Sequence, residues 1–274
     1  MSVRLAVLQF PGLNCEYETQ RVAAYYGFDA KIVRWNDTSG MLADAHAYII
    51  PGGFSYQDRV RAGAIAAKLP IMEQLVRADA LGKPILGICN GCQILAEAGL
   101  YPNESQAGDI EVALAPNLRS QKLIGHVCDW VYVKIKHPQK SAFTTLYTED
   151  EIIPVPISHG EGRFIFKNGL PNTHSHVVYT DASGHIDTQY PTNPNGTTAN
   201  IAGLSNERGN VLGLMPHPER AAWINQVPLS LPHPWAKQKQ DAFEKGEPFG
   251  EGPWAKLFKS MYISAQDLSQ KLEG

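Results

Sequence analysis

The sequence predicts an α/β protein built on a doubly wound, mostly parallel sheet with helices on both faces and a small antiparallel addition. In the first hundred residues, short apolar runs alternate with helix-compatible segments, which is the pattern of parallel βαβ units. Glycine-bearing turns follow two of these runs, and ligand sites in such sheets lie beyond the carboxyl ends of the strands. The predicted strands are Val3 to Gln9, Ala30 to Trp35, Ala47 to Ile50 and Pro84 to Ile88, and the predicted helices are Glu16 to Tyr26, Lys68 to Leu81 and Asn90 to Ala98.

The second half of the chain has a different pattern. Short β-branched and aromatic runs separated by turns, between Val127 and Phe166, predict the antiparallel addition. Two more strands are predicted at Ile201 to Leu204 and Val211 to Met215, and a last helix at Trp254 to Leu268. Residues 223–252 are rich in proline and mixed charge, which predicts a surface insertion in a single domain of residues 1–274.

The composition restricts the class of protein. The chain has 274 residues, of which 43% are hydrophobic, enough for a substantial core without disulfides. Its net charge of -3, from 24 basic and 27 acidic residues, gives no basic field for a nucleic-acid partner. No apolar stretch is long enough to span a membrane, and the N-terminus lacks a signal-peptide pattern. We therefore expect a cytoplasmic protein whose four cysteines are reduced thiols.

A candidate nucleophile lies between a predicted buried strand and a predicted helix. Gly87 to Gly91 has the form G-x-C-x-G, the thiol version of the G-x-S-x-G nucleophile turn. Larger side chains at the two glycines would collide with the sharp turn and with an approaching substrate. The N-terminus of the helix favours the thiolate of Cys89, and the backbone N–H of Asn90 is placed to donate to an oxyanion.

Two other motifs also follow predicted strands. In the sequence PGGF, the backbone N–H of Gly53 is a candidate second oxyanion donor, because glycine lets the backbone approach a substrate closely. In MPHPER, His217 is a candidate base and Glu219 a candidate orienting carboxylate. If this segment is extended, as its two prolines favour, the two side chains project to the same side.

Less specific interpretations apply to each motif. A cysteine after a buried strand is more often part of the core than a nucleophile. Cys89 and Cys92 also form a C-x-x-C, which occurs in zinc sites and dithiol redox centres. A second C-x-x-C is missing, and neither Cys15 nor Cys128 stands at a recognisable zinc-ligand spacing. The joint occurrence of three motifs after three predicted strands favours a catalytic site.

With these motifs, the chain resembles the class I, triad-type glutamine amidotransferases, which have a flavodoxin-like sheet. More narrowly, it is similar to the glutaminase subunits of phosphoribosylformylglycinamidine synthase, an enzyme of purine biosynthesis. The resemblance extends in order over residues 5–221 and depends on the segments FPGLNCEYET, PGGFSYQDRVRAGAIAA, GKPILGICNGCQILAEAGL, PISHGEGRF and GLMPHPERA.

The resemblance implies Cys89, His217 and Glu219 as the triad, and hydrolysis of L-glutamine to glutamate and ammonia through a γ-glutamyl thioester. It also implies that Gln93 binds glutamine, and that Gly53 and Asn90 are the oxyanion donors. It implies no cofactor in this chain: ATP and magnesium are expected in a separate synthetase subunit that receives the ammonia. In many organisms a small third subunit bridges the two.

The resemblance leaves some positions open. The family's N-x-S-x-R-F stretch corresponds here to a longer segment, residues 117–128, so its glutamine contacts are not assigned. His159, in SHGEGRF, is expected beside the site, although a histidine that only stabilises a polar turn is the simpler interpretation. The insertion at 223–252 is either without function or a partner contact. Two alternatives are a stand-alone γ-glutamyl hydrolase and a non-catalytic redox or binding protein that uses a reversible disulfide between Cys89 and Cys92.

Overall fold

The computed structural model describes residues 2–37, 40–102, 109–170 and 176–273 of the chain. The strands are β1 (Arg4–Gln9), β2 (Asp29–Arg34), β3 (Ala47–Ile50), β4 (Ile85–Ile88), β5 (Val112–Ala115), β6 (Leu118–Arg119), β7 (Lys122–Leu123), β8 (Val127–Lys136), β9 (Ile153–His159), β10 (Arg163–Phe166), β11 (His176–Thr180), β12 (Ile201–Ser205) and β13 (Val211–Leu214). The helices are α1 (Glu16–Tyr25), α2 (Met41–Asp44), α3 (Met72–Ala80), α4 (Asn90–Glu97), α5 (Pro234–Glu244) and α6 (Ala255–Glu273).

Within these described ranges, nine strands form one sheet in the order β2-β1-β3-β4-β13-β12-β11-β8-β9. The strands from β2 to β13 pair in parallel, and those from β13 to β9 pair antiparallel. The two short pairs β5–β10 and β6–β7 lie apart from this sheet. The parallel half brings the carboxyl ends of β3, β4 and β13 to one edge, which is where the three sequence motifs begin.

The central strands are buried along their whole length. Each residue of β3, β4 and β13 is buried, as expected for parallel strands covered by helices on both faces. One apolar core cluster extends along the chain from Val3 to Ala265. Trp254, just before α6, is fully buried, and its indole N–H donates to the carbonyl of Pro154 at 3.1 Å. The end of the described chain is therefore packed into the same core as its beginning.

The predicted α/β fold class is confirmed, with differences in individual elements. The predicted helix from Lys68 starts only at Met72, because Pro70 interrupts the segment and Leu69 has an extended backbone. Strand β11 was not predicted. None of the helices in the described part of the chain combines the length and apolarity that a membrane span requires.

The segment at 223–252 contains a helix that the sequence did not predict. Its prolines indicate an irregular excursion, but Pro234 occupies the first turn of α5, where proline is tolerated because that N–H has no partner within the helix. None of the residues of α5 is fully buried. Within the segment, Ile224, Val227 and Leu231 form a small buried apolar cluster.

Candidate active site

Cys89 lies on a strained turn between β4 and α4. Its φ of 51° and ψ of -105° fall in a region that non-glycine residues rarely adopt, and its N–H donates to the carbonyl of Leu214 at 2.7 Å. A Cβ at Gly87 would stand 2.6 Å from the carbonyl oxygen of Gly91, and one at Gly91 would overlap the carbonyl oxygen of Ile50. Both glycines of the motif are therefore required by close backbone packing.

The predicted base and carboxylate are in contact. Nδ1 of His217 lies 2.6 Å from Oε1 of Glu219, and both side chains are buried. Burial lowers the pKa of His217, but the carboxylate of Glu219 and the nearby Cys89 more than offset this, so the pKa is raised well above its ordinary value. Nε2 of His217 has no hydrogen-bond partner among the described residues. That nitrogen is free to exchange a proton with a reacting group.

The backbone that brings these two side chains together differs from the expectation. Residues 218–220 form a short 3-10 turn, with Pro218 in its first position, and the segment is not extended. Proline has the fixed φ that such a turn needs at its start. The contact between His217 and Glu219 was therefore predicted correctly from an incorrect backbone conformation.

The nucleophile and base share a cavity of about 190 Å³ at the carboxyl end of the parallel strands. Cys89 and His217 line it together with Gly53, Gln93 and His159. The cavity is small, and its size suits a ligand no larger than an amino acid. The structure thus brings to one place residues from four separate parts of the chain.

Gly53 and Asn90 border the nucleophile in different ways. Gly53 has a φ of 144°, and a Cβ there would stand 2.5 Å from the Cα of Leu13, so the position requires glycine. The side chain of Asn90 is buried: its amide group donates to Gln93 Oε1 at 2.8 Å, and its oxygen accepts the N–H of Ser55 at 3.0 Å. Asn90 thus connects the first turn of α4 to the loop that follows Gly53.

Gln93 and His159, which the family resemblance places in or beside the site, both line the cavity. Gln93 donates from Nε2 to the backbone oxygen of Glu161 at 2.7 Å. His159 is 2% exposed, and its Nδ1 lies 3.3 Å from Oδ1 of Asn117. Burial, together with the charges of His217 and His126, lowers the pKa of His159 to about 3, so its imidazole is neutral.

Sequence reasoning did not single out several other residues of the cavity, among them Cys15, Asp58, Glu161 and Arg220. Cys15 is buried beside His217 and Glu219, with ligand-type atoms of the three within 4.8 Å of one another. Arg220 donates to its sulfur at 3.2 Å. Burial raises the pKa of the Cys15 thiol, although the nearby imidazole of His217 opposes this. All four residues lie within segments that carried the resemblance, and this is the signal that could have found them: FPGLNCEYET, PGGFSYQDRVRAGAIAA, PISHGEGRF and GLMPHPERA.

The C-x-x-C interpretation does not fit the geometry. Cys92 is fully buried in α4, its sulfur lies 3.0 Å from the hydroxyl of Tyr101, and burial raises the pKa of its thiol. All four cysteines are free thiols. Among the described residues, the cluster with atoms close enough to hold a metal ion is that of Cys15, His217 and Glu219, and Cys92 is not part of it.

Asn117, in the segment without assigned contacts, stabilises the wall of the cavity. Its amide group donates to the backbone oxygens of His159 at 2.7 Å and Gly125 at 3.0 Å, and its oxygen accepts the N–H of Gly162 at 3.0 Å. The segment therefore supports the turn after β9 from outside the cavity.

Comparison with known proteins gives the class of this chain. Residues 2–263 match a family model described as a CobB/CobQ-like glutamine amidotransferase domain. The match covers nearly the whole chain and includes all of the motifs considered above. The protein is a glutamine amidotransferase, which agrees with a cysteine and a histidine that line one cavity and a buried glutamate in contact with the histidine.

Relatives with named functions narrow this class. The PurQ subunit of phosphoribosylformylglycinamidine synthase from Methanothrix thermoacetophila is 41% identical over 271 residues, covering 94% of this chain and 97% of that protein. The PurQ subunit from Methanopyrus kandleri is 44% identical over 220 residues and covers 80% and 90%. A chain in the structure of PurLQS from Thermotoga maritima matches with a TM-score of 0.67 and 32% identity, covering 90% of this chain and 99% of that chain. The chain therefore belongs to the PurQ family, and the family resemblance in the sequence is confirmed.

Proposed function

We propose that this chain hydrolyses L-glutamine to glutamate and ammonia through a γ-glutamyl thioester on Cys89, and delivers the ammonia to the synthetase subunit of phosphoribosylformylglycinamidine synthase. The observation that carries the proposal is the shared cavity. Cys89, on its strained turn, and the unpartnered Nε2 of His217 both face it, and Glu219 holds the other nitrogen of the imidazole.

Thioester formation begins with attack of the Cys89 sulfur on the side-chain amide carbon of glutamine, after its thiol proton has passed to Nε2 of His217, whose raised pKa favours this transfer. The carbonyl oxygen becomes an oxyanion, to which the backbone N–H groups of Gly53 and Asn90 donate. His217 then returns the proton to the amide nitrogen, the carbon–nitrogen bond breaks, and ammonia leaves. Glu219 keeps the imidazole in the tautomer and orientation that both transfers need.

Hydrolysis of the thioester uses the same residues in the second half of the reaction. A water molecule gives a proton to His217 and attacks the thioester carbon, and the carbon–sulfur bond breaks to release glutamate and regenerate the thiol. Gln93 is placed one turn into α4, where it holds the substrate against the nucleophile. The neutral His159 closes the cavity wall beside His217 without adding a positive charge.

The partner in this proposal is a synthetase subunit that binds ATP and magnesium and uses the ammonia in purine biosynthesis. A small bridging subunit completes the assembly. Support comes from the names of the relatives, which are subunits of the synthase, and from the similarity to a chain of the Thermotoga maritima PurLQS structure. The chemistry assigned to this chain uses only its own side chains, without a cofactor.

The test is the Cys89→Ala variant in the complex purified with its partners. Glutamine-dependent synthesis should fall by about 10³-fold or more, while synthesis with added ammonium salts should remain, because only the glutaminase half is lost. Cys128→Ser, which changes an exposed thiol, is the matched control and should retain both activities. Full glutamine-dependent activity of Cys89→Ala would refute the catalytic assignment. Equal glutaminase activity with and without the partners would contradict ammonia delivery and would indicate a stand-alone hydrolase.

A further inference from the structure

Two carboxylates line the active-site cavity and have no role in the proposed hydrolysis of glutamine. Asp58 belongs to the loop after β3, and Glu161 belongs to the turn between β9 and β10. In the part of the chain that the structure describes, neither carboxylate has an ion pair with a lysine, arginine or histidine. The two residues come from separate loops and line the same cavity.

Both residues are connected to the first turn of α4, directly after Cys89. Oδ1 of Asp58 accepts a hydrogen bond from the amide group of Asn90 at 2.9 Å. The backbone oxygen of Glu161 accepts one from Nε2 of Gln93 at 2.7 Å. The carboxylate of Asp58 and the backbone of Glu161 therefore lie within about one helical turn of the nucleophile, which is the scale of a glutamine side chain.

The loop that carries Asp58 is held in an unfavourable conformation. Tyr56, Gln57 and Asp58 have φ values of 52°, 61° and 52°, in the left-handed region that non-glycine residues rarely occupy. Such strain persists where the surroundings determine the conformation, and it is concentrated at functional sites. On the other side, the carboxylate of Glu161 accepts the backbone N–H of Ala62 at 3.4 Å, which holds it near the same loop.

Nearby positive charges are engaged elsewhere. Arg220 also lines the cavity, but it pairs with Glu18 at 2.8 Å. Arg61 pairs with Glu97. The cavity also holds two imidazole nitrogens, Nε2 of His159 and of His217, that are buried and without a hydrogen-bond partner among the described residues. Unpartnered buried polar atoms in a cavity indicate a polar ligand, and two carboxylates without an ion pair favour a ligand that carries a positive group.

We propose that Asp58 and Glu161 bind the α-ammonium group of L-glutamine while its side-chain amide lies against Cys89. The inference rests on the proposed glutaminase function and assigns the opposite end of its substrate. In glutamine only two methylene groups separate the amide carbon from the α-carbon, so an amide at the nucleophile places the ammonium within reach of carboxylates that line the same cavity. Charge and geometry thus select a free amino acid over an amide that lacks the ammonium.

The experiment compares two substrates with three variants in the assembled complex. The substrates are L-glutamine and 4-carbamoylbutanoate, which has the same amide and carboxylate but no ammonium group. For Asp58→Asn and Glu161→Gln, kcat/KM for L-glutamine should fall about 10- to 100-fold each, as expected for the loss of a hydrogen bond to a charged group. For 4-carbamoylbutanoate, kcat/KM should stay within about threefold of the wild-type value, because this substrate makes no such bond. Glu73→Gln, an exposed carboxylate on α3, should change neither.

Both variants preserve the shape of the side chain and an oxygen acceptor, so the hydrogen bonds to Asn90 and Ala62 can remain. A purely structural role would lower kcat/KM for both substrates in equal proportion, and this result would overturn the proposal. An unchanged preference for L-glutamine in both variants would also overturn it. These outcomes differ from failure of the proposed function, which would appear as glutaminase activity in Cys89→Ala.

Discussion

His217 and Glu219 are two residues apart and their side chains meet in the interior, with Nδ1 of the imidazole 2.6 Å from Oε1 of the carboxylate. Glu219 is fully buried, and its charge is the largest influence that raises the pKa of His217 against the effect of burial. A buried carboxylate beside an imidazole fixes which nitrogen carries the proton, and leaves the other nitrogen to face the cavity.

Replacement of this carboxylate by an amide should impair catalysis more than folding. In Glu219→Gln the pKa of His217 should fall and its tautomer should no longer be fixed, so kcat for glutamine hydrolysis should drop on the order of 10²-fold or more. Steady-state kinetics of the assembled complex measure this, with Glu207→Gln, an exposed carboxylate, as the control. A loss of less than about threefold in kcat would contradict an orienting role for Glu219.

Gly52 gives a second test of the same geometry. A Cβ at this position would stand 2.7 Å from Cε1 of His217 and 3.4 Å from Cβ of Cys89, so a methyl group must displace the imidazole. We expect Gly52→Ala to lower kcat by roughly 10- to 100-fold, because small displacements of catalytic groups are costly. Gly250→Ala is the matched control, since a Cβ there meets its nearest atom at 3.5 Å. Similar kcat values for the two variants would show that the base tolerates this shift.

Much of the fold and part of the site could be predicted from sequence because they depend on local patterns. The buried runs that became β3 and β4 are apolar over their whole length, and the turn at Cys89 requires its two glycines for reasons of close packing. Asp58 and Glu161 had no such local pattern, although both lie in segments that carried the family resemblance. They reach the cavity only because distant loops pack against α4, and sequence spacing does not reveal that contact.

Helix α5 shows a different limit. Its segment contains prolines that ordinarily interrupt helices, but Pro234 is at the one part of a helix where a missing N–H has no effect. The contact of His217 with Glu219 was anticipated from an extended backbone, whereas Pro218 starts a tight turn. Proline restricts φ in both conformations, so sequence alone does not distinguish them.

Two thiols lie near His217, and only one of them has the environment of a nucleophile. Cys89 has a strained backbone at the start of α4, whereas Cys15 has an ordinary backbone and accepts a hydrogen bond from Arg220 at 3.2 Å. Cys15→Ser keeps an acceptor for Arg220, so it should retain glutaminase activity within about tenfold, while Cys89→Ser should lose about 10³-fold or more. Glutamate release by both variants is the measurement. Equal losses would mean that Cys15 takes part in the chemistry.

At neutral pH, the wild-type protein with Asp58 should be less stable than a variant with asparagine at this position. Burial and the charge of Glu161 raise the pKa of Asp58 from 3.8 to about 6, although a hydrogen bond from Asn90 opposes this. A carboxyl group whose pKa is raised on folding contributes stability that is fully present below its unfolded pKa and is lost as the pH rises through about 6. Ionised Asp58 therefore destabilises the folded state above that pH.

Asp58→Asn removes this charge, and after allowance for the partial exposure of the side chain we expect it to raise the free energy of unfolding by about 1 kcal/mol at pH 8. At pH 5, which lies between the pKa values of Asp58 in the unfolded and folded states, the difference from wild type should be about half as large. Urea denaturation at the two pH values measures both differences, with Glu73→Gln as the exposed control. An equal difference at pH 5 and pH 8 would show that the charge of Asp58 is not its cause. A gain in stability together with a loss of glutamine turnover is what we expect of a carboxylate kept without an ion pair so that it can bind a cationic substrate group.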